Sequence, residues 1–193
     1  LLYGITGDKA QSKLLTTQLK RQIKVHNGLF AGKKLAGHWA KNRFRSPYLR
    51  ETLWQQGYVV DTLETCVSWA NLDQMLNKIE TSLNQTAAKF DEKIVVFSHL
   101  SHCYHDGATI YTSYIFRPGD SYQQALNRWE LFKHAASTVI VENQGTISHQ
   151  HGVGRDHAPY LAQEKGELTM AALKAEFAIL DPDQRLNSGV ICD

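Results

Sequence analysis

Asp106-Gly107-Ala108-Thr109-Ile110-Tyr111-Thr112-Ser113-Tyr114-Ile115-Phe116 reads as a tight turn that opens a β-strand. Asp-Gly is a strong hairpin signal, and the residues after it are rich in β-branched and aromatic side chains. Period-two alternation puts Thr109, Tyr111 and Ser113 on one face, and Ile110, Tyr114 and Phe116 on the other, which is the core face. Working back, Ile94-Val95-Val96-Phe97 reads as a buried strand. Leu72, Met75, Leu76, Ile79 and Leu83 recur at helical spacing. Tyr58 to Cys66 is a strand by its β-branched content. Working forward, Tyr122, Leu126, Trp129, Phe132, Ala136 and Ile140 line a helix, and Thr146-Ile147-Ser148 is a short strand. Residues 58–148 therefore spell strand, helix, strand, strand, helix, strand. This order predicts an α+β fold of the ferredoxin-like, split βαβ kind, an antiparallel sheet with helices on one face.

The flanks add helices. Asp8 is placed to cap a helix carrying Leu15, Leu19 and Ile23, which Gly28 stops. Residues 1–5 read as a strand, and Trp39 to Trp54 as two short helical pieces around Pro47. Two further helices, about 156–165 and 167–180, run to Asp181-Pro182.

The 193 residues have ordinary globular composition, 42% hydrophobic and 21% charged, enough for a sizeable core. The net charge of +2 is too near neutral for a general polyanion binder. No run approaches the roughly 18 apolar residues of a membrane helix. Cys66, Cys103 and Cys192 are few and widely spaced, which excludes a disulfide scaffold and makes a cytoplasmic setting the expectation. The apolar opening Leu1-Leu2-Tyr3, without Met, reads as a chain cut from a longer polypeptide.

Histidines carry the chemistry. Seven of nine fall between residues 99 and 157, in His99-Leu100-Ser101-His102-Cys103-Tyr104-His105, in Ser148-His149-Gln150-His151-Gly152-Val153-Gly154, and at His134 and His157. Each of the two clusters follows a strand, where functional loops concentrate. A metal site is set aside, because no carboxylate stands at ligand spacing. Gly152-Val153-Gly154 lacks the third glycine of a dinucleotide fingerprint. Tyr111 is either an ordinary half-buried strand tyrosine or a proton-transfer group whose phenolate is favoured by neighbouring His or Arg. The basic stretch Lys33 to Arg50 lacks the paired strand aromatics of an RNA-recognition module, so a solvated surface with one arginine gripping a substrate anion is the better reading.

Ile147 to Gly154 resembles the Ser-His-His-His-Gly-Val-Gly motif of alkyldihydroxyacetonephosphate synthases and their bacterial flavoprotein relatives, members of the vanillyl-alcohol-oxidase group of FAD-linked oxidases. Phe44-Arg45 to Leu49-Arg50, Thr62-Leu63-Glu64-Thr65 with Trp69, Ser101-His102-Cys103-Tyr104, Asp106-Gly107-Ala108 with Ile110-Tyr111, and Leu180-Asp181-Pro182 with Leu186-Asn187 follow in the family's order. The resemblance implies that residues 1–193 are a single C-terminal cap, or substrate, domain. Its partner would be an upstream FAD-binding domain of the same polypeptide, and the fragment alone would be inactive. It further implies Arg50 as the substrate-anion residue, Tyr111, His149 and His151 as catalytic, and His149, Gln150 and His151 against the cofactor. A homodimer is compatible with it. The motif's middle histidine is Gln150, which hydrogen-bonds but cannot become cationic. The expected function is therefore FAD-dependent oxidation of a small, hydroxylated, anionic substrate. Alkylglycerone-phosphate synthesis is the first alternative and a non-catalytic ferredoxin-like binding module the second.

Overall fold

The computed structural model describes residues 3–45 and 47–191; Cys192 and the first two residues of the expected 1–5 strand lie outside that range. The chain divides into two compact units, residues 1–51 and 52–193.

In the N-terminal unit, Tyr3 to Thr6 form no strand, which corrects the reading of residues 1–5. Apolar character alone does not make a strand without a partner ladder. α1 (Lys9–Val25) starts where predicted: the Asp8 carboxylate accepts the N–H groups of Ala10 and Gln11 at 2.7 and 2.8 Å. α2 (Lys34–Asn42) and α3 (Pro47–Gln55) are the two pieces around Pro47, and Pro47 opens α3, where its missing N–H costs nothing.

The second unit holds β1 (Val59–Ser68), α4 (Leu72–Ala88), β2 (Val95–Cys103), β3 (Gly107–Phe116) and α5 (Tyr122–Glu142), followed by α6 (Ala158–Lys165) and α7 (Glu167–Leu180). The sheet order is β1-β3-β2, antiparallel throughout. The predicted fourth strand at Thr146–Ser148 is not a strand, yet it lies against β1. Thr146 N–H donates to the Cys66 carbonyl, Cys66 N–H donates to Thr146 Oγ1, and His149 N–H donates to the Glu64 carbonyl. The intervening Ile147 N–H faces the other way and donates to the Glu164 carboxylate at 2.6 Å, and the segment is not a strand. The order of pieces is thus the ferredoxin-like one, with an irregular fourth member.

One face of the sheet packs on α4 and α5. Leu63, Val67, Ile110, Tyr114 and Phe116 meet Met75, Ile79 and Leu83 of α4 and Phe132, Ala136 and Ile140 of α5, all buried. The alternation predicted for β3 is the observed one. Tyr122 is an exception on α5: it stands at the exposed N-terminal turn, 75% accessible, ahead of the contact with the sheet. β2 also departs from expectation. It is longer than Ile94–Phe97 and leaves Val95 and Phe97 exposed rather than buried, because they share the face of His99, opposite the one that packs on α4 and α5. At Gly145 a Cβ would lie 2.6 Å from Thr65 Oγ1 and 2.8 Å from Met75 Cε, so only glycine lets the chain leaving α5 press onto β1.

Candidate functional site

The face of the sheet turned away from α4 and α5 carries a row of three polar side chains. Tyr111 of β3 is paired with Glu64 of β1 on one side and His99 of β2 on the other. Directly opposed residues share a face and bring their Cβ atoms to about 4.5–5.5 Å. The His99 ring tilts over Tyr111, with centroids 5.2 Å apart. The His151 ring meets Tyr111 edge-on at 5.4 Å and 78°. Tyr111 is therefore flanked by two imidazoles and half-buried.

The histidine loop arrives here because of the clip between Thr146–His149 and β1. Gln150 and Gly152 take positive φ, 58° and 72°, which folds the loop back so that Ser148 Oγ donates to the Gly152 carbonyl at 3.0 Å. His149 and His151 then both point along the sheet. His149 Nε2 is 2.9 Å from the Tyr104 hydroxyl. His151 Nε2 is 3.3 Å from Glu64 Oε2.

Glu64 is the centre of the polar cluster and was missed as a site residue by the sequence reading. It is 4% exposed in the middle of a strand. Ser101 Oγ donates to Glu64 Oε1, and Ser101 in turn contacts Thr109 Oγ1. His102 Nδ1 lies 3.6 Å from Glu64 Oε1. A charged residue between Leu63 and Thr65 in a β-branched strand was the available signal, since carboxylates are almost never fully buried unless paired. The charge also acts on its neighbour: burial, then the Glu64 carboxylate, push the Cys66 thiol above its ordinary range.

The carboxylate absent from the sequence argument about metals is supplied from β1. Glu64, His102 and His149 bring one ligand atom each within 4.8 Å of one another. These are the described residues in this site that could hold a cation, although Glu64 Oε1 is already engaged by Ser101. His99 and His102 belong to the end of β2 itself rather than to a loop after it.

Beside this row a polar cleft of about 350 Å³ is lined by Asp61, Glu64, Lys133, His151, Asp156 and His157. Its wall is held by the Asp61 carboxylate, which accepts from Trp129 Nε1 at 2.7 Å and Tyr114 Oη at 2.9 Å and pairs with Lys133 at 3.1 Å. Arg50 lies on α3, exposed, in the N-terminal unit. The structure thus brings together Tyr111, His149 and His151 of the predicted set, with Gln150 exposed at the loop tip.

The open side of the row, with Phe97 54% exposed beside the Tyr111, His99 and His151 rings, offers flat apolar surface and hydrogen-bonding groups together. A planar heteroaromatic such as a flavin ring fits that chemistry. Among the described residues, no helix is long and apolar enough to cross a membrane.

Comparison with known proteins agrees with this architecture. The chain is 24% identical to an alkyldihydroxyacetonephosphate synthase of Trypanosoma brucei brucei over 189 residues, 98% of this chain but 30% of that protein. It is 34% identical to the glycolate oxidase subunit GlcD of Bacillus subtilis (strain 168) over 112 residues, 56% of this chain and 22% of that one. A solved alkyldihydroxyacetonephosphate synthase superposes with a TM-score of 0.58 at 19% identity, covering 91% of this chain and 28% of that structure. The chain therefore spans about a third or less of the length of these relatives. The family model of FAD linked oxidases, C-terminal domain, matches residues 1–191, and the chain belongs to that family.

Proposed function

We propose that this chain forms the substrate wall of a flavin-dependent oxidoreductase that acts on a small, hydroxylated, anionic substrate. The observation that carries the reading is the row Glu64–Tyr111–His99 on the face of the sheet that its own helices leave open. FAD, held by the preceding part of a longer polypeptide, supplies the hydride acceptor. His149, Gln150 and His151 would hold that cofactor through their hydrogen-bonding side chains. Tyr111, gripped between two imidazoles, exchanges the proton of the substrate hydroxyl. Arg50 anchors the anionic group through its planar guanidinium fork.

Synthesis of alkylglycerone phosphate is the second reading. The near full-length alignment of the chain with the trypanosomal synthase favours it. Gln150 weighs against it, because an amide in the motif's central position cannot carry the charge of an imidazolium.

The test is Tyr111→Phe in the flavin-loaded full-length polypeptide, with anaerobic flavin reduction by a panel of 2-hydroxy acids as readout. A drop of about 10²–10⁴-fold in the reduction rate is expected for loss of an acid–base group. A loss of less than about threefold in a folded variant returns Tyr111 to a structural role. Flavin left oxidised by every hydroxy acid, with ether formation from an acyl dihydroxyacetone phosphate and a fatty alcohol, decides for the synthase.

A further inference from the structure

Glu64 is a carboxylate with a side chain only 3% exposed, and among the described residues its ionic contacts are two imidazoles, His151 and His102. Among the described residues no lysine or arginine forms an ion pair with it. A buried carboxylate needs hydrogen-bond donors for both oxygens. Here Oε1 takes the Ser101 hydroxyl and Oε2 faces His151 Nε2 at 3.3 Å. A carboxylate oxygen at that distance favours a proton rather than a lone pair on the Nε2 that faces it. The same glutamate lies directly opposite Tyr111 in the β1–β3 register. The imidazole it holds is the one that meets the Tyr111 ring edge-on.

We propose that Glu64 is the positioning residue of this site: its buried carboxylate fixes the tautomer and ring orientation of His151, and through that ring it fixes Tyr111. The proposal rests on the reading of Tyr111 as the proton-transfer residue. The physical logic is that of any buried carboxylate behind a working imidazole, where loss of the negative charge with geometry preserved is enough to put the proton on the wrong nitrogen. Three further features support it. The backbone carbonyl of Glu64 itself accepts from His149 N–H, so one residue holds the histidine loop by both main chain and side chain. Ser101 and Thr109 form a second hydrogen-bonded layer that keeps the carboxylate from rotating. Finally, a carboxylate serving packing alone gains nothing from being charged in a half-apolar strand, where an amide of equal size would satisfy the same serine.

The experiment is Glu64→Gln, Tyr111→Phe and the double variant in the flavin-loaded full-length polypeptide. Two readouts are used: anaerobic flavin reduction by a 2-hydroxy acid and the ¹⁵N-imidazole spectrum of His151. Glu64→Gln is expected to lower the limiting reduction rate about 10–100-fold, the usual cost of losing such a supporting partner. The apparent substrate constant should stay within about threefold. In the Tyr111→Phe background the same change should cost at most about threefold more, because both act along one path. The wild-type spectrum should report the Nε2–H tautomer, and Glu64→Gln a mixture. An unchanged rate, or a loss that multiplies fully with that of Tyr111→Phe, overturns the proposal. If Tyr111→Phe alone proves silent, the reading of Tyr111 fails while the spectrum still decides on Glu64: an unchanged His151 tautomer overturns its positioning role, and a changed one supports it. Should Glu64→Gln not fold, Glu64→Asp keeps the charge one methylene short. It is expected to give an intermediate rate, and a wild-type rate overturns the proposal.

Discussion

The two faces of the sheet are built from the same three strands and have opposite chemistry. On one, Tyr114 is fully buried, stacked near Phe116 and Phe132, with its hydroxyl given to Asp61. On the other, three residues earlier, Tyr111 stands between His99 and His151 at a partly open surface. Both tyrosines have a carboxylate nearby. Asp61 is shared among a phenol, an indole and a lysine and ties strand to helix. Glu64 is surrounded by serine and imidazoles and ties strand to loop. The same pairing of residue types therefore ties strand to helix beside the core on one face and stands among imidazoles at a partly open surface on the other.

Phe132→Ala is the strongest way to break the buried half of that contrast. Phe132 is 2% exposed and touches Phe90, Tyr114 and Phe116. Emptying its volume should cost about 3–5 kcal/mol in denaturant unfolding. A loss under about 1 kcal/mol would mean that the core closes around the gap far more easily than close packing allows.

A matched pair of single-hydroxyl deletions sharpens the comparison further. Burial, followed by the Asp61 charge, pushes the Tyr114 phenol far above its ordinary range, so its hydroxyl stays protonated and donating. Tyr114→Phe removes a hydrogen bond to a charged acceptor and should cost about 1.5–3 kcal/mol of stability. Trp129 and Lys133 remain to hold Asp61, which argues for the lower end. Flavin reduction should stay within about threefold once the variant is folded. Tyr111→Phe should do the reverse, with unfolding free energy within about 0.5 kcal/mol of wild type, as for other surface changes. Equal effects of the two variants on both measurements would erase the distinction between the faces.

This division was legible in part. The β3 alternation, the Asp106-Gly107 turn and the α4 spacing are local signals, each complete within a dozen residues, and each matches the structure. What escaped depends on distant partners. Ser101 reaches Glu64 across 37 positions, and Tyr104 reaches His149 across 45. No spacing rule pairs residues that far apart, so Glu64, quoted only within Thr62-Leu63-Glu64-Thr65, was given no role among the histidines. The Thr146–Ser148 segment was read as a regular strand, whereas it lies against β1 without a ladder, and the Glu164 that takes the Ile147 N–H comes from α6, beyond any local signal. The exposure of Val95 and Phe97 was invisible for another reason: an apolar run reads the same whether one face of its sheet is covered or both are. Tyr111, His149 and His151 were named from the sequence and lie together, whereas Arg50 belongs to the other unit.

The smallest effect concerns the hinge of the histidine loop. His157 Nδ1 accepts the Gly154 N–H at 3.1 Å, so the ring is neutral with its proton on Nε2. Burial is the main cause that holds His157 below the ordinary histidine range. Asp156, 3.4 Å away, opposes it as the next largest cause, followed by Lys133 and His151, which push with burial, and by a last opposing pull from Asp61. A histidine depressed in the folded state binds its proton more readily when unfolded. Its contribution to stability is therefore complete above the unfolded value of about 6.5 and is lost as the pH falls from there through the folded value. Stability measured from pH 7.5 downward should decline in that window. His157→Asn, whose side-chain oxygen can take over the Gly154 N–H, should decline less steeply, because asparagine has nothing to protonate. Every other group is common to both proteins and cancels in the difference. A difference curve that is flat below pH 6.5 would mean that the loop tolerates a charged His157. In that case the buried groups that control pH sensitivity lie elsewhere, and the loop owes its position to the β1 clip alone.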